Sequence, residues 1–574
     1  MAPEYQHLGR GNDFSGMMLK YRCARALTIA SMAAIVLLAL ASVFYPGLKG
    51  TPEFHIGESN KDYAQDYDVP VPIESPDTVA SNDKIGTDDY TITEPEGKCS
   101  LPTTLTIPKS EDGSYTPTSP HSDILAILSS VPEDDYEQYC QGWRKLVKPD
   151  YPYTYNLNGE CGNWQEKYAA LHKRRLTQLD SLKANDLDKL DSQDRPTYIA
   201  YKCVQVATNG NRGCGGLADR MSGMISTFFY ALLTDRAYFA YWDDENPFSL
   251  DILFEKPFID WHYEKSAMDQ LFIGDVDDDY FGTQPVDTLN AKWPTMENTL
   301  FPDGASQNFS DLWTASLVQV RSNRGYIIHT FESSNVYPDI LHKMGLNVHN
   351  TFGCLTDYLF KPTIGSRRFI DAYKNLLDLE SIFSVGIQIR TGDNQIVNPK
   401  EDELTVESYS YFLTCANQLT KAYRQPYHKK VVYFLITDSA KLRDEMMDLN
   451  TNAATHQEYL SSKDTVVLTT GLPIEHVEPA QVAKYINITE PIVETQEQKV
   501  AGINSAVIEN WLLANTNYRV ISQQGYGKLA AFHSNIDGTT YGMPRITSKH
   551  RAPDCGNPKA ATSFHDLSML WSLG

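Results

Sequence analysis

The apolar positions of this chain fall into three regimes. From Ala26 to Tyr45 they run together as ALTIASMAAIVLLALASVFY, twenty residues without a charge. A helix of that length rises about 30 Å, the thickness of a hydrocarbon core. From 47 to 120 the large aliphatic residues thin out in favour of Pro, Asp, Glu, Ser and Thr. Such a stretch buries too little surface to offset its ordering entropy. Beyond Pro196 short apolar runs alternate with longer helical patterns, as parallel strands covered by helices do.

The elements follow from that rhythm. Residues 198–204 (YIAYKCV) read as a strand. NGNRGCGG, a long apolar helix LADRMSGMISTFFYALLTDRA and a strand AYFAYW at 237–242 come next. Together they make one βαβ unit. VQVRS and YIIHTF read as a hairpin around Asn323-Arg-Gly. The second half predicts strands at 384–390, 431–437, 465–470 and 518–522, and helices over 403–423, 440–449, 498–514 and 526–534. The fold class expected is α/β, with two tandem Rossmann-like domains bounded at 196–380 and 381–574. Ahead of them, 136–195 reads as a helical linker. There Tyr168, Leu171, Leu176, Leu179 and Leu182 recur near helical spacing on a charged segment, which reads as a solvated support helix or stalk. A flexible stem takes 47–135, a transmembrane helix 26–46 and a cytosolic tail 1–25.

Charge sets the orientation. Lys20, Arg22 and Arg25 precede the apolar run and only Lys49 follows closely. That flank places the N-terminus in the cytosol and the rest in a lumen, a single-pass type II arrangement. A cleaved signal peptide fits less well, because the run is too long and starts too deep. Cys23, at the cytosolic edge, is either a palmitoylation site or a plain cysteine. The net charge of −23 argues against a nucleic-acid partner.

Eight of the nine cysteines lie beyond the anchor: Cys99, Cys140, Cys161, Cys203, Cys214, Cys354, Cys415 and Cys555. None forms a CxxC zinc pattern, and an even set in an oxidising lumen predicts disulfides of undetermined pairing. Sequons at Asn308 and Asn487 are the expected glycosylation sites. The chain ends WSLG and not KDEL, which favours a Golgi membrane over the endoplasmic reticulum.

Ligands of open parallel sheets bind beyond the C-terminal strand ends. Four such ends carry candidate chemistry. Gly210–Gly216 is a glycine-rich turn before a helix, fit either for phosphate contact through backbone N–H groups or for a plain tight turn. Arg390 closes the buried run GIQIR, where a planar guanidinium suits a diphosphate. Asp393, three residues on, could hold Arg390 in a structural ion pair or cap the next turn. Asp438 closes VVYFLITD and either accepts from a nucleoside or caps the following helix. Ser522, Gly525, Tyr526 and Gly527 form a last glycine-rich turn before a helix, again a phosphate cradle. Just upstream, Glu509 stands alone on the apolar helix AVIENWLLAN, which marks a buried polar contact.

These pieces, GNRGCGGLADRMSGMISTFFYALLTDRAYFAYW, NTFGCLTDYLFKP, SVGIQIRTGD and VIENWLLANTNYRVISQQGYGKLAAF, stand in one order over about 195–535. In that order they resemble the fucosyltransferase superfamily of GT-B fold, with its plant xyloglucan, α1,6- and protein-O-fucosyltransferases. The resemblance implies a GDP-fucose donor, metal-independent inverting transfer and a glycan or glycoprotein acceptor. It sets Arg390 on the donor β-phosphate and Asp438 and Glu509 near the nucleoside. Ser522, Gly525, Tyr526 and Gly527 fall at the last phosphate turn, and Gly215 and Gly216 face the donor from the other domain. The chain departs from the pattern in three places. Gln523-Gln524 stand where a second Ser or Thr is usual, Glu509 replaces a commoner Asp, and Gln388 stands in for a His. The acceptor base is unassigned. Asp219 in LADR lies near the right strand end but serves a helix start equally well.

Two rival readings remain at this level. Asp275-Val-Asp277 and Asp277-Asp-Asp279 offer the DxD pattern of Mn-dependent GT-A transferases, although acidic runs are usually solvated loops. A non-enzymatic protein of the same fold that binds nucleotide or glycan is the other, since fold does not fix function.

Overall fold

Parallel strands need a crossover each, and the helices between the strands supply it. The computed structural model describes residues 98–117, 119–149, 151, 161–191, 193–203, 215–242, 249–392, 394–474, 495–544 and 551–569. Its strands are β1 (Tyr198–Cys203), β2 (Ala237–Trp242), β3 (Phe254–Glu255), β4 (Thr283–Asp287), β5 (Leu317–Arg321), β6 (Lys361–Pro362), β7 (Ile382–Ile389), β8 (Lys430–Thr437), β9 (Thr465–Leu468), β10 (Tyr518–Ser522) and β11 (Thr540–Met543). The first sheet has the order β2-β1-β5-β4 and is parallel throughout. The second has the order β11-β10-β7-β8-β9, also all parallel. β3 and β6 form a small antiparallel ribbon.

Counted along the chain, the second sheet runs 5-4-1-2-3. This is the doubly wound order, and it reverses between β7 and β10. The first sheet reverses between β1 and β5. Each reversal leaves a crevice at the C-terminal edge, because the flanking loops depart to opposite faces.

One apolar core joins the two sheets. It includes Ile199 and Tyr201 of β1, Phe434, Leu468 and Ile521 of the second sheet, and the helices Leu217–Leu233, Thr351–Leu359, Ile364–Leu377, Gln496–Ala514 and Gly525–His533. Helices Val406–Tyr423 and Ala440–Asp448 cover the outer face of the second sheet. Helices Gln165–Lys183 and Lys265–Leu271 cover the outer face of the first. Glycine sets the approach where layers are tightest: a Cβ at Gly223 would stand 2.1 Å from the Ser322 carbonyl oxygen. The last described helix, Phe564–Met569, packs on Ile327–Ser333, a helix of the half where the sheets begin. Glu94–Gly574 forms one compact unit.

Four expectations change. VQVRS and YIIHTF do not pair as a hairpin. β5 is an interior strand held by β1 and β4, and Ile327–Ser333 is a helix with Ile327 and Ile328 buried. The helix Gln165–Lys183 is no solvated stalk, for Tyr168, His172, Arg175, Leu179 and Leu182 are buried. Tyr168 donates its hydroxyl to the Arg236 carbonyl at 2.8 Å, and the His172 ring meets the Tyr238 carbonyl at 3.0 Å. The segment from Lys98 to 135, expected as flexible stem, is folded in. Cys99 is bonded to Cys140, and Leu105, Ile107 and Ile124 are buried. Strands β4 and β11 were not expected. β4 carries Pro285, which a strand tolerates at a sheet edge.

Two further disulfides, Cys161–Cys354 and Cys415–Cys555, tie distant segments, and Cys203 is disulfide-bonded too. The expected anchor at 26–46, the tail, the stem as far as 97 and the sequon Asn487 lie outside the described residues. Among the described residues no helix is long and apolar enough to cross a membrane. Asn308 caps the short helix Phe309–Leu312, its side-chain oxygen accepting from the Ser310 N–H at 3.0 Å.

Candidate functional site

The reversal between β7 and β10 is where the candidate residues converge. Arg390 follows the last residue of β7 and Ser522 is the last residue of β10. The Arg390 backbone N–H donates to the Ser522 hydroxyl at 2.9 Å, closing the floor of the crevice. The Arg390 guanidinium donates through Nη1 to Asp438, which follows β8. Arg390 retains 21 % of its side-chain surface, whereas Asp438 keeps only 8 %.

Asp438 does more than pair with Arg390. Its Oδ1 accepts from the Thr391 N–H at 2.7 Å and the Thr391 hydroxyl at 2.9 Å, and Oδ2 accepts from the Gly392 N–H at 3.0 Å. Both oxygens are committed to the Arg390–Gly392 turn. The helix that follows is capped instead by Ser439, whose hydroxyl accepts from the Leu442 N–H at 3.0 Å. Asp438 therefore shapes the turn that carries Arg390. Gly392 has φ +148°, a conformation open to glycine. Asp393 lies outside the described residues.

Across the crevice the helix Gly525–His533 starts directly after β10, with Gln524 at its cap position and no side-chain cap. The N–H groups of its first turn and the positive end of its dipole mark this edge. Gly527 presses on the strand floor: a Cβ there would stand 2.7 Å from Gln388 Oε1 and 2.7 Å from Ile521 Cβ. Tyr526 is an anchor, donating its hydroxyl to the Ala506 carbonyl at 2.6 Å. Asn510 Nδ2 donates to the Tyr526 carbonyl at 2.8 Å and binds the two helices together.

Glu509 lies beside this group on the helix Gln496–Ala514. It keeps a little accessible surface yet is densely ringed by protein, and it accepts from the Thr470 hydroxyl just beyond β9. Burial pushes its carboxyl up from 4.5 to about 7, with the Thr470 hydrogen bond and Arg443 pulling the other way. Lys528, fully buried, is pushed down to about 7 by burial. The sequence reading did not single out Lys528. Its signal was a lone cation directly after the Gly-Tyr-Gly turn of an otherwise apolar helix.

The other half contributes a second crevice edge. Gly215 adopts φ +81° and Gly216 caps the helix Leu217–Leu233 without a side chain. A Cβ at Gly215 would stand 2.5 Å from Asp219 Oδ2. Arg220 is structural: its Nε donates to the Gly215 carbonyl at 2.9 Å, and its guanidinium lies 4.7 Å over the Trp242 ring. The helix Gly525–His533 packs directly on Leu217–Leu233. The two halves thus meet through the helices that follow the two glycine-rich turns.

The acidic run does not join this site. Asp275, Asp277 and Asp279 are exposed and lie ahead of β4, at the strand edge opposite the C-terminal ends. Asp278 closes the turn by accepting from the Tyr280 and Phe281 N–H groups, and Asp279 pairs with Arg195 at 3.2 Å. The DxD reading is corrected on that geometry.

No family profile and no curated protein matches the chain. Among solved structures, it is similar to a mutant of FUT1 from Arabidopsis thaliana in complex with GDP. That likeness has 17 % identity and a TM-score of 0.45, covering 74 % of this chain and 88 % of that one. It is similar also to the α-1,6-fucosyltransferase NodZ soaked with GDP-fucose, at 14 % identity and a TM-score of 0.32, covering 58 % and 92 %. A further structure of the fucosyltransferase NodZ, from Bradyrhizobium, gives 14 % identity and a TM-score of 0.31 over the same shares.

Proposed function

We propose that this chain is a GT-B glycosyltransferase that moves fucose from GDP-fucose to a hydroxyl of a glycan or glycoprotein, inverting the anomeric centre without a metal. The reading includes a type II Golgi anchor at 26–46, with the folded part in the lumen. One observation carries it. At the reversal of a doubly wound sheet, Arg390 is fixed through its backbone on Ser522 and through its side chain on Asp438. A carboxylate that accepts from four donors makes this turn rigid, and it fixes a guanidinium that keeps 21 % of its surface open, an arrangement that suits an anionic ligand.

The chemistry follows from that placement. As the glycosidic bond breaks, negative charge builds on the leaving diphosphate and positive charge on the sugar. The Arg390 guanidinium and the first-turn N–H groups of the helix Gly525–His533 stabilise the former, and such preorganised donors are usually the largest catalytic contribution. Gly525 lets the backbone approach the phosphates, and Gly527 lets the helix close on the strand floor. Asp438 keeps Arg390 aimed. The resemblance sets Glu509, which accepts from Thr470 beyond β9, near the nucleoside.

Calorimetry of GDP-fucose on the full-length protein in detergent, with EDTA present, tests the reading. Wild type binds, and Arg390→Ala loses at least about 2 kcal/mol, as expected when a charged contact to a phosphate is removed. Wild type that ignores both GDP and GDP-fucose overturns the donor assignment. Tight donor binding with neither transfer nor hydrolysis favours the non-enzymatic reading.

A further inference from the structure

The C-terminal edge of the first sheet carries an aromatic platform that the donor chemistry does not use. Six residues beyond β4, Trp293 opens the helix Trp293–Leu300. Its indole stacks on Tyr326 with ring centroids 5.2 Å apart and planes 25° apart. Tyr326 in turn stacks on Phe301 at 5.2 Å and 29°. One indole face is thus covered, and Trp293 still keeps 37 % of its surface exposed. His329 meets the indole edge-on at 5.1 Å, and its Nε2 lies 3.7 Å from Glu297 Oε1. Glu297 stands four residues after Trp293, on the same helical face.

This platform is braced. The loops after β4 and β5 are stitched side by side: Thr288 donates to the Ser322 hydroxyl at 2.7 Å, and the Thr288 N–H reaches the Arg321 carbonyl at 2.9 Å. Asn323 Nδ2 donates to Asn290 Oδ1 at 2.9 Å, while the Asn290 N–H donates back to Asn323 Oδ1 at 2.8 Å. Such bracing presents the indole at a fixed height at the edge where parallel sheets bind ligands. A core tryptophan needs no exposed face, and a solvated one needs no such support.

We propose that Trp293 is the stacking platform for a neutral pyranose of the acceptor, with Glu297 accepting hydroxyl hydrogens at its rim. The C–H face of a pyranose matches an aromatic ring that is covered behind and open in front. The Glu297 carboxylate beside the ring disfavours a sialic or uronic acid and accepts from sugar hydroxyls. This deepens the transferase reading and rests on it for the word acceptor, but carbohydrate binding at Trp293 stands or falls separately.

The experiment is retention of the full-length protein, in detergent, on an array of neutral oligosaccharides, their sialylated counterparts and bare peptides. Wild type is expected on a subset of the neutral oligosaccharides. Trp293→Ala should lose about tenfold or more of that retention, the loss typical of an aromatic anchor, and Trp293→Phe should fall between. Calorimetry with GDP-fucose runs in parallel, and Trp293→Ala should keep donor affinity. Absence of neutral-glycan retention, retention unchanged in Trp293→Ala, or equal retention on bare peptides overturns the proposal. Should Trp293→Ala unfold, Glu297→Ala decides, and glycan retention unchanged in that variant also overturns it. Wild type that binds glycan through Trp293 but no donor leaves the platform standing and removes the transferase.

Discussion

The Arg390 backbone N–H donates to the Ser522 hydroxyl at 2.9 Å, across the one place in the second sheet where the strand order reverses. Those residues are 132 apart in sequence. Their contact makes the strand-end arginine and the glycine-rich turn parts of a single crevice.

Asp438 is the organiser of that crevice, so Asp438→Asn should damage more than one contact. The amide presents a single acceptor oxygen to four donors and turns its own N–H groups toward some of them. A loss of roughly 2–4 kcal/mol in stability is expected from the broken charge-assisted hydrogen bonds. Urea titration reads the stability, and GDP binding should weaken alongside it. A variant with unchanged melting and unchanged GDP affinity would show that the turn does not depend on this carboxylate.

Gly527 lies against Gln388 and Ile521 with no room for a methyl group. Gly527→Ala is predicted to cost about 1–3 kcal/mol through overpacking. Adding Gln388→Ala removes one of the two obstacles and should restore part of the loss. Thermal melts of the single and double variants measure the coupling, and strict additivity would contradict the contact.

Glu509 predicts a pH dependence of definite sign. Its carboxyl is raised from 4.5 to about 7 in the folded protein, so the folded state holds a proton that the unfolded chain has released. That contribution to stability is full below about pH 4.5 and is lost as pH rises through about 7, at up to roughly 1.4 kcal/mol per pH unit. Glu509→Gln should flatten the stability profile over this window while keeping an acceptor for Thr470. Denaturant melts from pH 4.5 to 8 check it, and equal slopes for both proteins would refute the assignment.

The Cys99–Cys140 bond closes a loop of 41 residues. By loop entropy it stabilises the fold by about 4 kcal/mol. Cys99→Ser should lower the melting temperature and expose the segment 98–120 to protease earlier than in wild type. Limited proteolysis followed by mass spectrometry reads this directly. Cleavage at the same rate in both proteins would mean that the buried Leu105 and Ile107 hold the segment without the bond.

Much of this was legible along the chain. Continuous apolar runs such as VVYFLIT demanded a sheet buried on both faces, and β7, β8, β9 and β10 lie where such runs stand. Arg390 and Ser522 drew notice because a charge or a small polar group at the end of an apolar strand is rare unless a ligand or partner waits there. Other features had no local trace. Ile327–Ser333 carries a strand-like run of apolar residues, and only the absence of a free edge on β5 makes it a helix. The segment after Lys98 is polar in composition, yet a disulfide and buried aliphatic residues such as Leu105, Ile107 and Ile124 bring it into the fold.

The sequence alone determined the alternation of strands and helices, the two glycine-rich turns and the set of residues able to meet an anion, because each depends on local periodicity and local backbone freedom. The tertiary structure decided which of them meet. Strand order is set by how crossovers pack on a shared core, and only that order puts Arg390 beside Ser522 and commits Asp438 to the Arg390 turn. It also sends the acidic run to the opposite edge and raises Trp293 on Tyr326 at the rim. Contacts between residues a hundred positions apart depend on the packing of whole layers, and no window of sequence contains that information.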